Sequence, residues 1–112
     1  MQERIAIMVA FTLSLIKEFQ INRPILIVTS TAGIYCWESE FLRLASSINM
    51  VAYCGNRESR DIIKKLEFFE ESGCVLVQIV LSTSDVVTAD LSYLKCLDWE
   101  AVIVDEGQRL KL

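Results

Sequence analysis

Four uninterrupted apolar residues, Ile25-Leu26-Ile27-Val28, follow Pro24 and run directly into Thr29-Ser30-Thr31. A strand with one solvated face would alternate polar and apolar residues, so a run this short and apolar throughout reads as a strand buried on both sides. Burial on both sides is the property of a central strand in a parallel sheet, and parallel strands need crossover segments, usually helices, to connect them. The chain must therefore supply helices before and after this run.

It does so in alternation. Residues near 3 to 19 read as a helix that is apolar almost all round, so both of its sides are expected to be covered. Asn22-Arg23-Pro24 ends it, because proline cannot continue a helix and pushes its neighbour towards extended backbone. After the first strand, Ile34, Trp37, Phe41, Leu44, Ala45 and Ile48 recur at spacings of three and four, which places them on one helix face. Met50-Val51-Ala52-Tyr53 is a second strand, ended by Gly55, and Asn56 can cap a third helix from about Arg57 to Glu71. There Ile62, Ile63, Leu66 and Phe69 form the predicted apolar stripe, while Arg60, Asp61, Lys64, Lys65 and Glu70 face water, with Asp61 and Lys65 placed to pair. Ser72-Gly73 stops the helix. Cys74 to Leu81 reads as a third strand, Asp90 to Cys96 as a short helix, and Glu100 to Val104 as a fourth strand that runs into Asp105-Glu106. The fold class is α/β, a parallel sheet with helices on both faces.

Composition excludes several functions. At 112 residues with 53% apolar content, the chain has the length and hydrophobicity of one globular domain. A net charge of −4 argues against a self-sufficient nucleic-acid-binding module, which carries a basic patch. Arg57, Arg60, Lys64 and Lys65 are interleaved with Glu58, Asp61 and Glu67, which makes a solvated helix face rather than such a patch. Cys36, Cys54, Cys74 and Cys96 form no C-x-x-C pair and histidine is absent, so buried free thiols in a reducing compartment are expected rather than a zinc site. Ile5 to Ile16 could pass for the apolar part of a signal peptide. At about 12 residues it is too short to span a bilayer, and Lys17-Glu18-Phe19-Gln20 is unlike a cleavage site. Trp37 and Trp99 each sit in an apolar pattern and are read as core residues rather than base-stacking platforms.

In open α/β sheets, ligands bind beyond the carboxyl ends of the strands. Val102-Ile103-Val104-Asp105-Glu106 projects two adjacent carboxylates from such an end. In a nucleotide hydrolase the first would hold Mg²⁺ and the second would polarise the attacking water. A solvated strand-to-helix turn would look the same, so the neighbouring residues decide. Asp105-Glu106-Gly107-Gln108-Arg109-Leu110-Lys111 resembles the D-E-[AG]-[HQ]-R-x-K block of the Swi/Snf-like ATPases of helicase superfamily two. Upstream, Leu26-Ile27-Val28 followed by Trp37 and Glu40-Phe41 is similar to that family's strand and W-x-x-E-F element. Tyr53-Cys54-Gly55, Ser59-Arg60, Ile63 and Glu67-Phe68 resemble Y-x-G-x-x-x-S-R-x-x-I-x-x-x-E-F, in the form of the chromodomain-helicase branch. Asp90, Leu94, Trp99 and Val104 fit the D-x-x-x-L and W-x-x-V-I-V-D spacings.

The resemblance implies a partial RecA-like first lobe over residues 1–112, from after the phosphate loop to the Walker B acids. It implies ATP and Mg²⁺ as cofactors, Asp105 and Glu106 at the nucleotide, Asp105 as the metal ligand, and Glu106 and Gln108 as catalytic residues. It places Thr29, Ser30 and Thr31 against DNA phosphate. It also implies a nuclear parent protein that acts on DNA and nucleosomes with a second helicase lobe and other chromatin proteins. A G-x-G-K-T phosphate loop is expected just before the first helix, where backbone amides grip phosphate. Of Gly33, Gly55, Gly73 and Gly107, none precedes a Lys-Ser or Lys-Thr pair. The strand leading into that loop is accordingly expected to be absent. Ser30 replaces the usual proline, Ser84 a tyrosine or proline and Leu112 an asparagine, whereas Gln108 stands where the family uses either histidine or glutamine. Two functions are therefore open: a piece of a DNA-translocating ATPase that is inactive alone, or a degenerate helicase-like scaffold used in gene silencing. A small stand-alone Rossmann-like binding domain is a third, and it leaves the ordered motifs unexplained.

Overall fold

The computed structural model describes residues 2–105. The elements are α1 (Gln2–Glu18), β1 (Ile25–Thr29), α2 (Thr31–Leu44), β2 (Met50–Ala52), α3 (Arg57–Glu67), β3 (Ile79–Ser82), α4 (Ser84–Ala89), α5 (Leu91–Leu94) and β4 (Ala101–Asp105). Among the described residues the strands form one sheet in the order β2-β3-β1-β4, every neighbouring pair parallel. β1 is central, as its apolar run requires, and all five of its residues are buried.

Alternate side chains of β1 feed two cores. Ile25 and Ile27 pack with Ile5, Val9 and Leu13 of α1, and with Ile34, Trp37 and Phe41 of α2. Leu26 and Val28 pack on the other face with Val51, Tyr53, Phe68, Val80 and Leu94, supported by Ile63 and Val86. Helices thus cover both faces, and the predicted fold class stands.

Several local readings need correction. α1 is covered on one side only: Ile5 and Val9 are buried, whereas Ile7 and Phe11 are 68% and 56% exposed. It ends at Glu18, ahead of the proline, and Gln20 takes a left-handed φ of 51° where the chain turns away. The stripe on α3 is displaced. Ile62 and Leu66 are exposed, and Phe68, just past the helix, fills the core instead. The segment before β3 is irregular from Cys74 to Gln78, with only an antiparallel bridge between Phe69 and Val75. Here β-branched composition misled, because the segment lies outside the register of the parallel ladder, which begins at Ile79 opposite Ile25. Residues 84–94 hold two short helices rather than one, the first capped by Thr83. Cys36 and Cys54 are half-buried but Cys74 and Cys96 are exposed, so the thiols are not uniformly core residues. Among the described residues no helix is long and apolar enough to cross a membrane.

Candidate functional site

β1 and β4 run side by side with Thr29 opposite Asp105, so both residues arrive at the carboxyl end of the sheet. Asp105 is the last described residue of β4, and its side chain is only 8% exposed. A carboxylate so far removed from water needs donors, and three elements provide them. The Trp37 indole Nε1–H of α2 donates to Oδ2 at 2.8 Å. The Thr29 hydroxyl reaches the same oxygen at 3.5 Å. The Arg4 guanidinium of α1 donates to Oδ1 at 2.5 Å and is half exposed, which puts it at the mouth of the site.

Close packing of α2 on β1 makes this convergence possible. Ser30 caps α2 by accepting from the Gly33 amide at 3.0 Å. A Cβ at Gly33 would lie 2.1 Å from Thr29 Oγ1, so only glycine lets the first turn of α2 come this near the strand end. A small cavity of about 80 Å³ remains beside Arg4, Thr29, Ser30, Gly33, Cys36 and Asp105. The expected DNA-contact residues do not share one face. Thr29 is buried with its hydroxyl turned to Asp105, whereas Ser30 and Thr31 are exposed. Glu106 and Gln108 lie outside the described residues.

Mg²⁺ demands near-octahedral oxygen ligation and is usually held by one or two carboxylates together with water and phosphate. Both oxygens of Asp105 already have partners, and the partner of Oδ1 is a cation. Among the described residues no group of three or more potential metal ligands comes together. The side chains as they stand do not fit a divalent metal at Asp105.

A second polar cluster joins motif residues far apart in sequence. Tyr53, buried at the carboxyl end of β2, donates its hydroxyl proton to Asp90 Oδ2. Arg60 Nε donates to the same oxygen at 2.9 Å, and Arg60 Nη1 to the Gly55 carbonyl at 2.8 Å. Lys64 Nζ lies 3.8 Å from Asp90 and 4.5 Å from the Tyr93 ring centre, a cation–π contact. Arg60 and Lys64 therefore do not simply face water, and Lys64 rather than Lys65 pairs with Asp61. Burial, then the bond to Asp90, raises the Tyr53 pKa. For Asp90, burial is the largest influence and acts upward. The bonds from Tyr53 and Arg60, with the charges of Lys64 and Arg60, outweigh it and leave the carboxyl below its ordinary value.

Sequence reasoning placed both tryptophans in the core, and Trp37 is fully buried, but it missed that each indole N–H is used. Trp37 holds Asp105, and Trp99 donates to the Leu94 carbonyl at 2.8 Å. A buried indole needs a partner, which was the available signal. Nothing in the sequence marked Arg4.

Comparison with known proteins places the sequence in a family. Residues 5–112 match the family described as SNF2-related domain. The chain is 34% identical over 110 residues to Protein CHROMATIN REMODELING 4 of Arabidopsis thaliana, covering 91% of this chain and 5% of that protein. It is 38% identical over 104 residues to the CHD3-type chromatin-remodeling factor CHR7 of the same plant, covering 92% of this chain and 8% of the relative. Identity to chromodomain-helicase-DNA-binding protein 9 of Mus musculus is 35% over 98 residues, covering 81% of this chain and 3% of that protein. The chain thus spans less than a tenth of the length of each of these relatives. With the match running from α1 through the strand that carries Asp105, the chain belongs to the SNF2-related domain family.

Proposed function

We propose that this chain is the acid-bearing middle of the first lobe of a nuclear, DNA-translocating ATPase that works on nucleosomes. The observation that carries the reading is Asp105 at the carboxyl end of β4, beside the central strand, where ligands bind in open α/β sheets. In this reading Asp105 and Glu106 face the nucleotide, Glu106 and Gln108 take the catalytic positions, and ATP is the cofactor of the parent motor. Ser30 and Thr31 are the residues left exposed to reach DNA phosphate. The second lobe and other chromatin proteins are the partners. The isolated chain does not hydrolyse ATP, because phosphoryl transfer depends on positioned cations and phosphate-binding amides that these 112 residues do not supply as a G-K-T loop.

The test is a graft. Residues 5–112 replace the matching segment of a SNF2-type motor with measurable DNA-stimulated hydrolysis, such as one built on the CHD3-type relative. The graft is expected to hydrolyse ATP, and Glu106→Gln in it to lower turnover at least about a hundredfold. A folded graft with no turnover would sink the motor reading. It would leave the second one, a non-hydrolysing helicase-like scaffold in gene silencing, which the engagement of both Asp105 oxygens favours.

A further inference from the structure

We propose that Arg4 is a resident cation that takes the place of a divalent metal on Asp105 and keeps this end of the sheet closed to metal. The inference rests on the proposed role of Asp105 as the acid of the nucleotide end. Three observations carry it. The Arg4 guanidinium meets Oδ1 at 2.5 Å, across 101 residues of sequence, so the contact is tertiary and not an accident of local chain direction. Trp37 and Thr29 fix the other oxygen from the protein side, leaving Oδ1 as the oxygen with which Arg4 pairs. Arg4 is half exposed while the carboxylate is 8% exposed, so an incoming ion encounters the arginine first.

The electrostatic consequence follows directly. A carboxylate already neutralised by a guanidinium offers a metal little attraction, and the guanidinium repels a doubly charged ion at short range. Arginine suits this use because its planar guanidinium presents donors in a fork that matches a carboxylate, whereas a lysine ammonium is a compact point charge. Asp105 is then usable only when Arg4 moves off, and its half-exposed position leaves it room to do so.

The experiment is a Mn²⁺ titration of the full 112-residue chain, with free Mn²⁺ read by electron paramagnetic resonance. Wild type, Arg4→Gln and the Arg4→Gln, Asp105→Asn double variant are compared. Wild type is expected to bind Mn²⁺ weakly, Arg4→Gln at least about tenfold more tightly, and the double variant no better than wild type. Wild-type affinity equal to that of a folded Arg4→Gln chain overturns the proposal, and so does a gain that survives in the double variant. If Arg4→Gln does not fold, the carboxyl carbon resonance of Asp105 in wild type decides. It should stay unmoved at millimolar Mg²⁺, and a saturable shift overturns the proposal. The graft described above omits residue 4, so its failure would count against the motor reading alone and these titrations against Arg4 alone.

Discussion

A carboxylate withdrawn from water must have its charge met by donors, since an unpaired buried ion costs several kcal/mol. Asp90 meets this need with Tyr53, Arg60 and Lys64, drawn from β2's carboxyl end and from α3. Its folded pKa lies below the ordinary aspartate value, so its contribution to stability is complete above about pH 4. That contribution is lost as pH falls through the depressed folded value. Asp90→Asn is therefore expected to cost about 2 kcal/mol at neutral pH. The variant's thermal midpoint should fall less steeply than that of wild type on acidification, so that the two curves converge once pH has dropped below the depressed folded value. Parallel curves would mean that the cluster holds by shape and not by charge. The sequence made Tyr53, Arg60 and Asp90 legible as separate motif residues but not as one cluster, because pairing across 30 residues or more is set by how α3 crosses the sheet. Asp105 was legible for the opposite reason: its place depends only on its being the end of an apolar strand.

At the scale of elements, the junction of β1 and α2 is packed tightly enough to require glycine. Gly33 sits in the first turn of α2, where an added Cβ would meet the Thr29 hydroxyl, and Thr29 is too buried to swing outward. Gly33→Ala should therefore push α2 away from the strand end despite alanine's better helix propensity. We expect a loss of about 1–3 kcal/mol in urea unfolding, as for other overpacking substitutions. In Thr29→Ala, Gly33→Ala the obstructing oxygen is gone, so the double change should cost less than the sum of the single ones. Strict additivity would remove the clash as the cause. Periodicity located α2 and capping residues located α3, since both signals act within a few residues. The irregular stretch before β3 and the exposed side of α1 escaped it. Composition records that residues can be buried, whereas the sheet register and the neighbouring elements decide which ones are.

Across the whole molecule, burial is uneven in a way that predicts behaviour in solution. β2 and β4 are the edges of the sheet among the described residues, and β4 alternates half-buried and exposed side chains. Ala101 and Ile103 lean on the α1–α2 core, whereas Val102 and Val104 are 54% and 66% exposed on the opposite face. Close by, Leu26, Val87, Leu91, Leu94, Trp99 and Val102 line a mainly apolar groove to which Lys95 also contributes. Ile7 and Phe11 expose a further apolar strip on α1. A strand edge flanked by uncovered valines offers hydrogen bonds and apolar area together, the combination that natural edges avoid by carrying charge. The purified chain is therefore expected to self-associate as its concentration rises, seen as a growing weight-average mass in sedimentation equilibrium. Val104→Lys places a charge on that edge without touching the buried face of β4, so it should restore a monomer while leaving the unfolding midpoint almost unchanged. If the lysine variant associates as strongly as wild type, the β4 face is not the sticking surface. The exposed strip on α1 would then be next, tested by Phe11→Lys. If the β4 variant alone is monomeric, the uncovered face of β4 is what limits the chain's independence as a folded unit.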